Sequence, residues 1–322
     1  MRILVTGGAG FIGSNLVEAL LLDERVTLVR VLDNLSTGLL KNIEPFVNHP
    51  KLDWVLGDIR DWDICVKACI NIDAISHQAA LGSVPRSIND PITTNAVNIG
   101  GALNIFTAAQ QAGITKIVYA ASSSTYGDSK ILPKQEDVIG KPLSPYAVTK
   151  LVNELYADVF HKTYGTNFIG LRYFNIFGPK QNPNGAYAAV IPLFASAVLN
   201  NEAPFINGDG AQSRDFTYVS NAVQGNIKAL FTDNPEAWNQ IYNIACGEQN
   251  TVNQLFETLR SFTPNTELKP IYREARSGDV RDSLADISKA QNLLNYQPQI
   301  LVKQGLEIAL NWYKENPDYF NH

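Results

Sequence analysis

Short apolar runs alternate with amphipathic stretches through the first half of the chain. Runs rich in Ile, Leu and Val predict strands at residues 3–5, 27–32, 52–56, 74–78, 116–121 and 167–173. Apolar positions at helical spacing predict helices at residues 14–22, 61–70, 92–112 and 145–164. Strands that alternate with helices form parallel sheets, so we expect an α/β fold with a doubly wound parallel sheet. Ligands of such sheets bind beyond the carboxyl ends of the strands.

The first predicted strand runs directly into a glycine-rich turn, residues 6–13, and then into a helix. Glycines let the backbone approach a pyrophosphate closely, and the free N–H groups of the helix start can then bind it. Asp33 lies at the end of the second strand, where a carboxylate binds the adenosine ribose and repels a 2′-phosphate. This context predicts a Rossmann-like site for NAD rather than NADP.

The alternating pattern breaks near residue 175, where loops rich in Gly, Asn and Pro begin. A helix is predicted near residues 191–199, followed by shorter elements. We therefore expect an NAD-binding domain over residues 1–175 and a smaller substrate-binding lobe over residues 176–322. The chain is expected to cross between them.

Composition narrows the possible functions of the 322-residue chain. A net charge of −5 argues against nonspecific binding to nucleic acid. No apolar run is long enough to span a membrane, and the first strand leaves no room for a signal peptide, so we expect a cytoplasmic protein. The three cysteines are too few and too badly spaced for a disulfide framework or a zinc site, and no metal is expected.

Tyr146 and Lys150 lie one turn apart on a predicted helix that starts after Ser144. A phenol with a pKa of about 10 is a poor base at neutral pH, so a neighbouring cation is needed to stabilise its phenolate. Ser122, Ser123 and further hydroxyls follow the predicted strand 116–121 and point to the same cleft. The combination predicts a redox active site based on a tyrosine.

These motifs together resemble the extended short-chain dehydrogenases/reductases, and within them the nucleotide-sugar 4-epimerases of the UDP-N-acetylglucosamine type. The resemblance runs over essentially the whole chain. It is carried by residues 7–13, 33–35, 57–59, 77–80, 122–127, 146–150, 172–175, 181–187, 208–210 and 213–216. It implies NAD-dependent inversion of C4 in a UDP-N-acetylhexosamine, UDP-GlcNAc or UDP-GalNAc, through a 4-keto sugar.

The resemblance also implies roles for individual residues. Those expected to hold NAD are Gly7, Gly10, Phe11, Ile12, Gly13, Asp33, Asn34, Ser36, Thr37, Gly38, Asp58, Ile59, Gln78, Ala79, Ala80, Asn98, Tyr146, Lys150 and Tyr173. The expected catalytic residues are Tyr146, Lys150, Ser122 and Ser123. Those expected to face the UDP-sugar are Ser83, Arg86, Ser122, Ser123, Ser124, Tyr146, Asn175, Ala189, Val190, Phe205, Asn207, Arg214, Arg276, Asp279 and Ser283.

By the same resemblance, Ser283 stands where epimerases restricted to UDP-glucose and UDP-galactose carry a Tyr. A small residue there leaves room for an acetamido group. Helices 98–112 and 146–164 correspond to the pair that forms a four-helix bundle in homodimers of this family, so a homodimer is expected.

Several other activities fit the same motifs less well. A sugar 4,6-dehydratase of this family places an Asp-Glu pair after its catalytic hydroxyl, whereas Ser123 and Ser124 stand there in this chain. A UDP-glucuronate decarboxylase remains an alternative, as do epimerases of UDP-N-acetylhexuronic acids or of UDP-glucose and UDP-galactose. A non-catalytic NAD-binding protein would lack the tyrosine or the lysine, and Tyr146 and Lys150 are both present.

Overall fold

The computed structural model describes residues 1–183, 188–264, 267–274 and 281–319. The strands in these ranges are β1 (Arg2–Thr6), β2 (Leu28–Asp33), β3 (Leu52–Leu56), β4 (Ala74–His77), β5 (Lys116–Ser122), β6 (Asn167–Tyr173), β7 (Ile176–Phe177), β8 (Phe205–Asn207), β9 (Ser213–Arg214), β10 (Thr217–Tyr218), β11 (Gln240–Ile244), β12 (Asn250–Thr251) and β13 (Ile271–Arg273). The helices are α1 (Phe11–Leu22), α2 (Trp62–Cys69), α3 (Val84–Asn89), α4 (Pro91–Asn95), α5 (Ala102–Gln111), α6 (Pro145–Tyr164), α7 (Val190–Asn200), α8 (Val219–Leu230), α9 (Val252–Ser261), α10 (Ser288–Leu294) and α11 (Val302–Glu315).

A parallel sheet forms the centre of the molecule, with its strands in the order β11-β6-β5-β4-β1-β2-β3. β2 and β3 are added in turn on one side of β1. The chain then crosses back, and β4 pairs with the other side of β1. Helices α1, α8 and α10 pack their apolar residues on one face, and α2, α5 and α6 cover the other. The predicted doubly wound, Rossmann-like sheet is confirmed.

All six predicted strands are present, and their ends differ from the prediction by one residue at most. The sequence did not predict the outermost strand, β11. It comes from the second half of the chain and pairs with β6 from Gln240 opposite Ile169 to Ile244 opposite Tyr173. Residues beyond position 175 therefore help to build the central sheet.

The helix predicted over residues 92–112 is present from Pro91 to Gln111, but a π-helical turn, Ala96–Gly101, which was not predicted, lies between α4 and α5. Asn98 in this turn bonds the backbone of Leu81 through both ends of its amide, at 2.8 and 3.1 Å. Gly101 packs so tightly on Ile59 that an added Cβ would lie 2.5 Å from that side chain. We attribute the widened turn to these two interior contacts, which helical periodicity does not reveal.

A separate apolar cluster lies in the second half of the chain, where α7, α9 and α11 pack together through residues such as Phe194, Phe256 and Leu306. In the described ranges, no helix combines the length and the apolar character needed to cross a membrane.

Candidate active site

A cavity of about 850 Å³ opens at the carboxyl ends of the central strands. Its wall is formed by residues at or after the ends of β1 to β6 and by the first turns of α1 and α6. Three residues from later in the chain, Ile176, Arg214 and Ser283, close its far end. The cavity therefore lies where ligands of a doubly wound sheet bind.

The glycine turn between β1 and α1 brings backbone to the cavity surface. Gly7 has a positive φ of 70°, and a Cβ there would lie 2.7 Å from the backbone of Ala79. A Cβ on Gly13 would lie 2.1 Å from the Gly7 carbonyl oxygen, so no larger residue fits. Gly10 begins α1 without a side-chain cap, which leaves the first-turn N–H groups of Phe11 and its neighbours facing the cavity. This cradle suits a pyrophosphate.

Asp33 ends β2 and is buried beside this turn. Its carboxylate accepts hydrogen bonds from the N–H groups of Ala9 (2.9 Å) and Leu35 (2.8 Å). Burial raises the pKa of Asp33, and the two backbone hydrogen bonds act against that rise. The bonds hold the carboxylate at the cavity wall, in position to accept from ribose hydroxyls.

Asp58 lies at the same end of the cavity, after β3. The guanidinium of Arg60 pairs with it at 2.7 Å, and the Asn34 amide donates to it at 2.8 Å. The Arg60 hydrogen bonds lower the pKa of Asp58 to about 2, even though partial burial opposes the shift. Asp58 is therefore ionised at neutral pH and presents an acceptor of the kind that an amino group on a base requires.

Tyr146 and Lys150 lie in the first turns of α6, which begins at a Ser144 cap that accepts from the Ala147 N–H (3.1 Å). The Lys150 ammonium is buried, lies 5.9 Å from the centroid of the Tyr146 ring and donates to the Ala120 carbonyl (2.7 Å). Burial lowers the pKa of Lys150 to about 8, so it stays largely protonated at neutral pH. The pair has the arrangement needed for a phenol stabilised as phenolate by a cation.

Ser122, the last residue of β5, contacts the phenol from the other side. Its hydroxyl oxygen accepts from the backbone N–H and the hydroxyl of Ser124, at 3.2 and 2.9 Å. Because the Ser122 oxygen accepts both of these hydrogen bonds, its own proton is free to be donated. The Ser122 hydroxyl donates it to the Tyr146 oxygen. Burial raises the pKa of Tyr146, and this hydrogen bond lowers it. The resting phenol is therefore protonated, and Ser122 favours its ionised form.

A buried ion pair supports the catalytic helix one turn beyond Lys150. Glu154 receives two hydrogen bonds from the Arg172 guanidinium, at 2.9 and 2.7 Å, and both side chains are less than one-tenth exposed. Arg172 also lies 4.8 Å from the centroid of the Tyr126 ring. The negative charge of Glu154 raises the pKa of Lys150, against the larger effect of burial. Glu154 therefore helps to keep Lys150 charged.

Ser283 lines the cavity from a short segment, residues 281–286, whose backbone is held by hydrogen bonds. The Ser283 N–H donates to the Ser213 carbonyl (3.1 Å). The carbonyl of Leu284 accepts from the Lys134 N–H (2.7 Å). The Ala285 N–H donates to the buried Asp215 carboxylate (3.2 Å). This carboxylate also accepts from the N–H groups of Cys246 and Gly247, which follow β11. Burial raises the pKa of Asp215 to about 7.

The chain matches the model of the NAD-dependent epimerase/dehydratase family over residues 3–245. It belongs to this family. A putative UDP-glucose 4-epimerase of Methanocaldococcus jannaschii is 38% identical, and the match covers 98% of this chain and 99% of the relative.

Two solved structures closely resemble the structure of this chain. A UDP-N-acetylglucosamine 4-epimerase of Methanobrevibacter ruminantium, in complex with UDP-N-acetylmuramic acid, is 39% identical with a TM-score of 0.91, and 98% of each chain is covered. A UDP-glucuronic acid 4-epimerase of Bacillus cereus, in complex with UDP-4-deoxy-4-fluoro-glucuronic acid and NAD, is 30% identical with a TM-score of 0.91, covering 98% of this chain and all of that one.

The cofactor of this NAD-dependent family fits the described cavity. The bare glycine cradle accommodates a pyrophosphate, and the Asp33 carboxylate beside it suits ribose hydroxyls. Most residues predicted for cofactor, catalysis or substrate line this one cavity. They are Gly7, Gly10, Phe11, Ile12, Gly13, Asp33, Asn34, Ser36, Thr37, Asp58, Ile59, Gln78, Ala79, Ala80, Ser83, Arg86, Ser122, Ser123, Ser124, Tyr146, Lys150, Tyr173, Asn175, Arg214 and Ser283.

Other predicted residues lie outside the described cavity wall. They are Gly38, Asn98, Ala189, Val190, Phe205 and Asn207. Asn98 instead joins Leu81 to α6, where its amide donates to the Thr149 hydroxyl (3.1 Å). The Phe205 ring lies 3.0 Å below the Arg273 guanidinium. Arg276 and Asp279 fall outside the described residues.

The structure also places at the cavity residues that the sequence did not predict as part of the site. Lys134 and Tyr126 line the cavity, and Asp215 and Asn226 act from behind its wall through hydrogen bonds. Asp215 stands directly after Arg214 in a recognised motif, which could have drawn attention to it. Nothing in the sequence pairs Asn226 with the cavity, because its partners are far away along the chain.

Proposed function

We propose that this UDP-sugar 4-epimerase acts on UDP-N-acetylhexosamines and interconverts UDP-GlcNAc and UDP-GalNAc. The observation that carries the proposal is the small Ser283 side chain on the wall of the cavity that also contains Tyr146 and Lys150. A small residue there leaves space for an acetamido group on the sugar. The sugars named for the relatives above are glucose, N-acetylglucosamine and glucuronic acid, so family membership alone does not select among them.

The catalytic roles follow from the positions of the hydroxyls and the cation. Tyr146, ionised under the influence of Lys150, accepts the proton of the sugar 4-hydroxyl and later returns it. Ser122 donates to the phenol oxygen and so stabilises its ionised form. When bound, NAD supplies a reversible hydride acceptor, the chemistry that inversion through a 4-keto sugar needs. Inversion requires the intermediate to expose its opposite face, while the nucleotide stays bound.

The wall near the catalytic pair favours such a turn of the sugar. Ser123, Ser124 and Ser283 are small, and all three line the cavity. Neither Ser123 nor Ser124 can act as the acid or base that dehydration would require at those positions. Arg214 reaches the same cavity, where a guanidinium suits a diphosphate. We assign Arg276 and Asp279 to the same nucleotide end on sequence resemblance alone.

A UDP-N-acetylhexuronic acid is a second candidate substrate. The Lys134 side chain lines the cavity and is largely buried, with its ammonium donating to the Ser129 carbonyl. A buried ammonium in the wall would favour a sugar that carries a carboxylate at C6. UDP-glucose and UDP-galactose are expected to react more slowly than the acetylated pair.

We also propose that the protein is a homodimer built on α6. Val148, Leu155 and Val159 lie along one side of this helix and are 45%, 58% and 51% exposed. Apolar residues at this spacing form a stripe that a second copy of the chain can cover. Light scattering after size exclusion should give twice the chain mass, and Leu155→Glu should yield monomers. A wild-type monomer would contradict the proposal.

The deciding experiment is to incubate purified protein, without added cofactor, with a panel of UDP-sugars and to separate the C4 epimers by chromatography. The panel contains UDP-GlcNAc, UDP-GalNAc, UDP-glucose, UDP-galactose and the corresponding uronic acids. The highest kcat/KM is expected for the acetylated hexosamines. A higher kcat/KM for the acids would select the second candidate, and a higher value for the non-acetylated neutral pair would reject both.

A further inference from the structure

Asn226 is a completely buried amide on α8, behind the cofactor end of the cavity and outside the cavity wall. Its amide nitrogen donates to the Tyr173 hydroxyl (2.7 Å) and to the Ala222 carbonyl (2.8 Å). Its amide oxygen accepts from the Gln78 amide (2.9 Å) and the Ser76 hydroxyl (3.2 Å). All four hydrogen-bonding positions of the amide are therefore used.

The partners of Asn226 form a closed hydrogen-bond network. The Tyr173 hydroxyl donates to the Gln78 carbonyl oxygen (3.0 Å), and the Gln78 amide also donates to the Ser76 hydroxyl (3.0 Å). Every polar group of the Gln78 side chain is thus satisfied from the protein side. Such a network has one low-energy arrangement, because rotating any member leaves buried groups without partners.

Two members of this network, Gln78 and Tyr173, line the cavity. Gln78 follows β4 and abuts the phosphate cradle, since a Cβ on Gly7 would lie 3.1 Å from its backbone carbonyl carbon. Tyr173 ends β6, and β5 separates β4 from β6 in the sheet. The Tyr173 hydroxyl and the Gln78 amide meet directly across β5, and Asn226 bonds both of them from α8, so it supports this contact from a third element.

We propose that Asn226 is a positioning residue for the cofactor: it fixes Gln78 and Tyr173 in the orientations that retain NAD. The inference rests on the proposed function, in which the hydride taken from the sugar must be returned to it, so that NAD has to stay bound between the two transfers. Asn226 itself touches no ligand. Because α8 belongs to the second half of the chain, the proposal also makes that half necessary for a tight cofactor site.

The test compares Asn226→Leu with a matched control on the same helix. Asn221 is also a buried amide, but its bonds go to the backbone of Gln299 (2.9 Å) and Ile300 (2.7 Å) and to the Cys246 sulfur (3.6 Å), and none goes to a cavity-lining residue. Asn221→Leu therefore removes a comparable buried amide. The NAD dissociation rate is measured on purified holoenzyme with an enzyme that destroys released NAD, and urea unfolding reports stability. If protein is purified without NAD, the Kd is measured by titration instead.

The NAD dissociation rate, or the Kd, should rise about 5- to 30-fold in Asn226→Leu, as expected for the loss of one or two hydrogen bonds. It should stay at the wild-type value in Asn221→Leu, although both variants lose stability. Equal effects in the two variants, or none in Asn226→Leu, would overturn the proposal. If Asn226→Leu does not fold, Ser76→Ala removes one anchor of Gln78 and should raise the rate about fivefold. An unchanged rate in Ser76→Ala would then reject the proposal.

A double-mutant cycle tests whether Asn226 acts through Tyr173. Tyr173→Phe keeps the ring and removes the hydroxyl that joins the network. If the proposal holds, combining it with Asn226→Leu should raise the dissociation rate by less than the product of the two single effects. If the two effects on the dissociation rate simply multiply, Asn226 does not act through Tyr173. None of these measurements depends on the sugar, so they stay valid if the proposed substrate is wrong.

Discussion

Substitution of Ser283 by Tyr tests the proposal that this position leaves room for an acetamido group on the sugar. Ser283 is part of the cavity wall, and hydrogen bonds on both sides fix its backbone: its own N–H bonds Ser213, and the next carbonyl accepts from Lys134. The wall therefore has little freedom to retreat from a larger side chain. A phenol ring at this position must project into the space that the sugar substituent would occupy.

The magnitude follows from the cost of overpacking a restrained site, about 1–3 kcal/mol. That corresponds to a loss of about 5- to 150-fold in kcat/KM for UDP-GlcNAc and UDP-GalNAc. UDP-glucose and UDP-galactose lack the acetamido group. Their kcat/KM should fall by less than about threefold, the effect expected of a substitution that disturbs no specific contact. The selectivity between the two pairs should therefore invert or disappear in Ser283→Tyr.

The assay is kcat/KM for both sugar pairs in wild type, Ser283→Tyr and a Ser283→Ala control, with epimers resolved by chromatography. Ser283→Ala keeps the side chain small and should retain the wild-type preference. An equal loss on both pairs in Ser283→Tyr would show that the position affects the fold of the wall rather than sugar size. An unchanged preference would show that Ser283 does not face the acetamido group.

Four further predictions concern chemistry and stability. Tyr146→Phe removes the base, so steady-state kcat should fall at least about 100-fold while UDP-sugar binding by calorimetry persists; near-normal turnover would refute the assigned role. Lys150→Met removes the cation that stabilises the phenolate, so the pKa that controls the rise of kcat with pH should increase, and an unchanged profile would exclude that electrostatic role. Glu154→Gln breaks a buried ion pair and should lower the free energy of unfolding by about 3–5 kcal/mol in urea titrations; a loss below about 1 kcal/mol would contradict the buried pairing. The pKa of Asp215 is raised to about 7, so the folded state binds its proton between about pH 4 and 7 and its contribution to stability falls as pH rises through that window; Asp215→Asn should remove this slope from unfolding free energies, and an identical slope would place the titration elsewhere.

That the glycine turn and the Tyr146–Lys150 pair line one cavity could be predicted from the sequence, because the spacing within each motif is local. The glycines of residues 7–13 lie within one turn, and Tyr146 and Lys150 lie on consecutive turns of one helix. Short-range geometry follows from the repeat of the helix and from the absence of a Cβ. The same reasoning located six of the central strands, since an apolar run between turn residues is also a local signal.

Tertiary structure decided the contacts that join distant parts of the chain. β11 pairs with the free edge of β6, and although its five residues include Ile241, Tyr242 and Ile244, no local pattern shows that they belong at this edge of the sheet. Asn226 reaches Gln78 and Tyr173 only when α8 packs on the sheet, and Asp215 gathers N–H groups from two later segments only when both fold over it. Hydrophobic periodicity encodes which face of an element is buried. It does not encode which polar groups meet there, because that depends on where every other element packs.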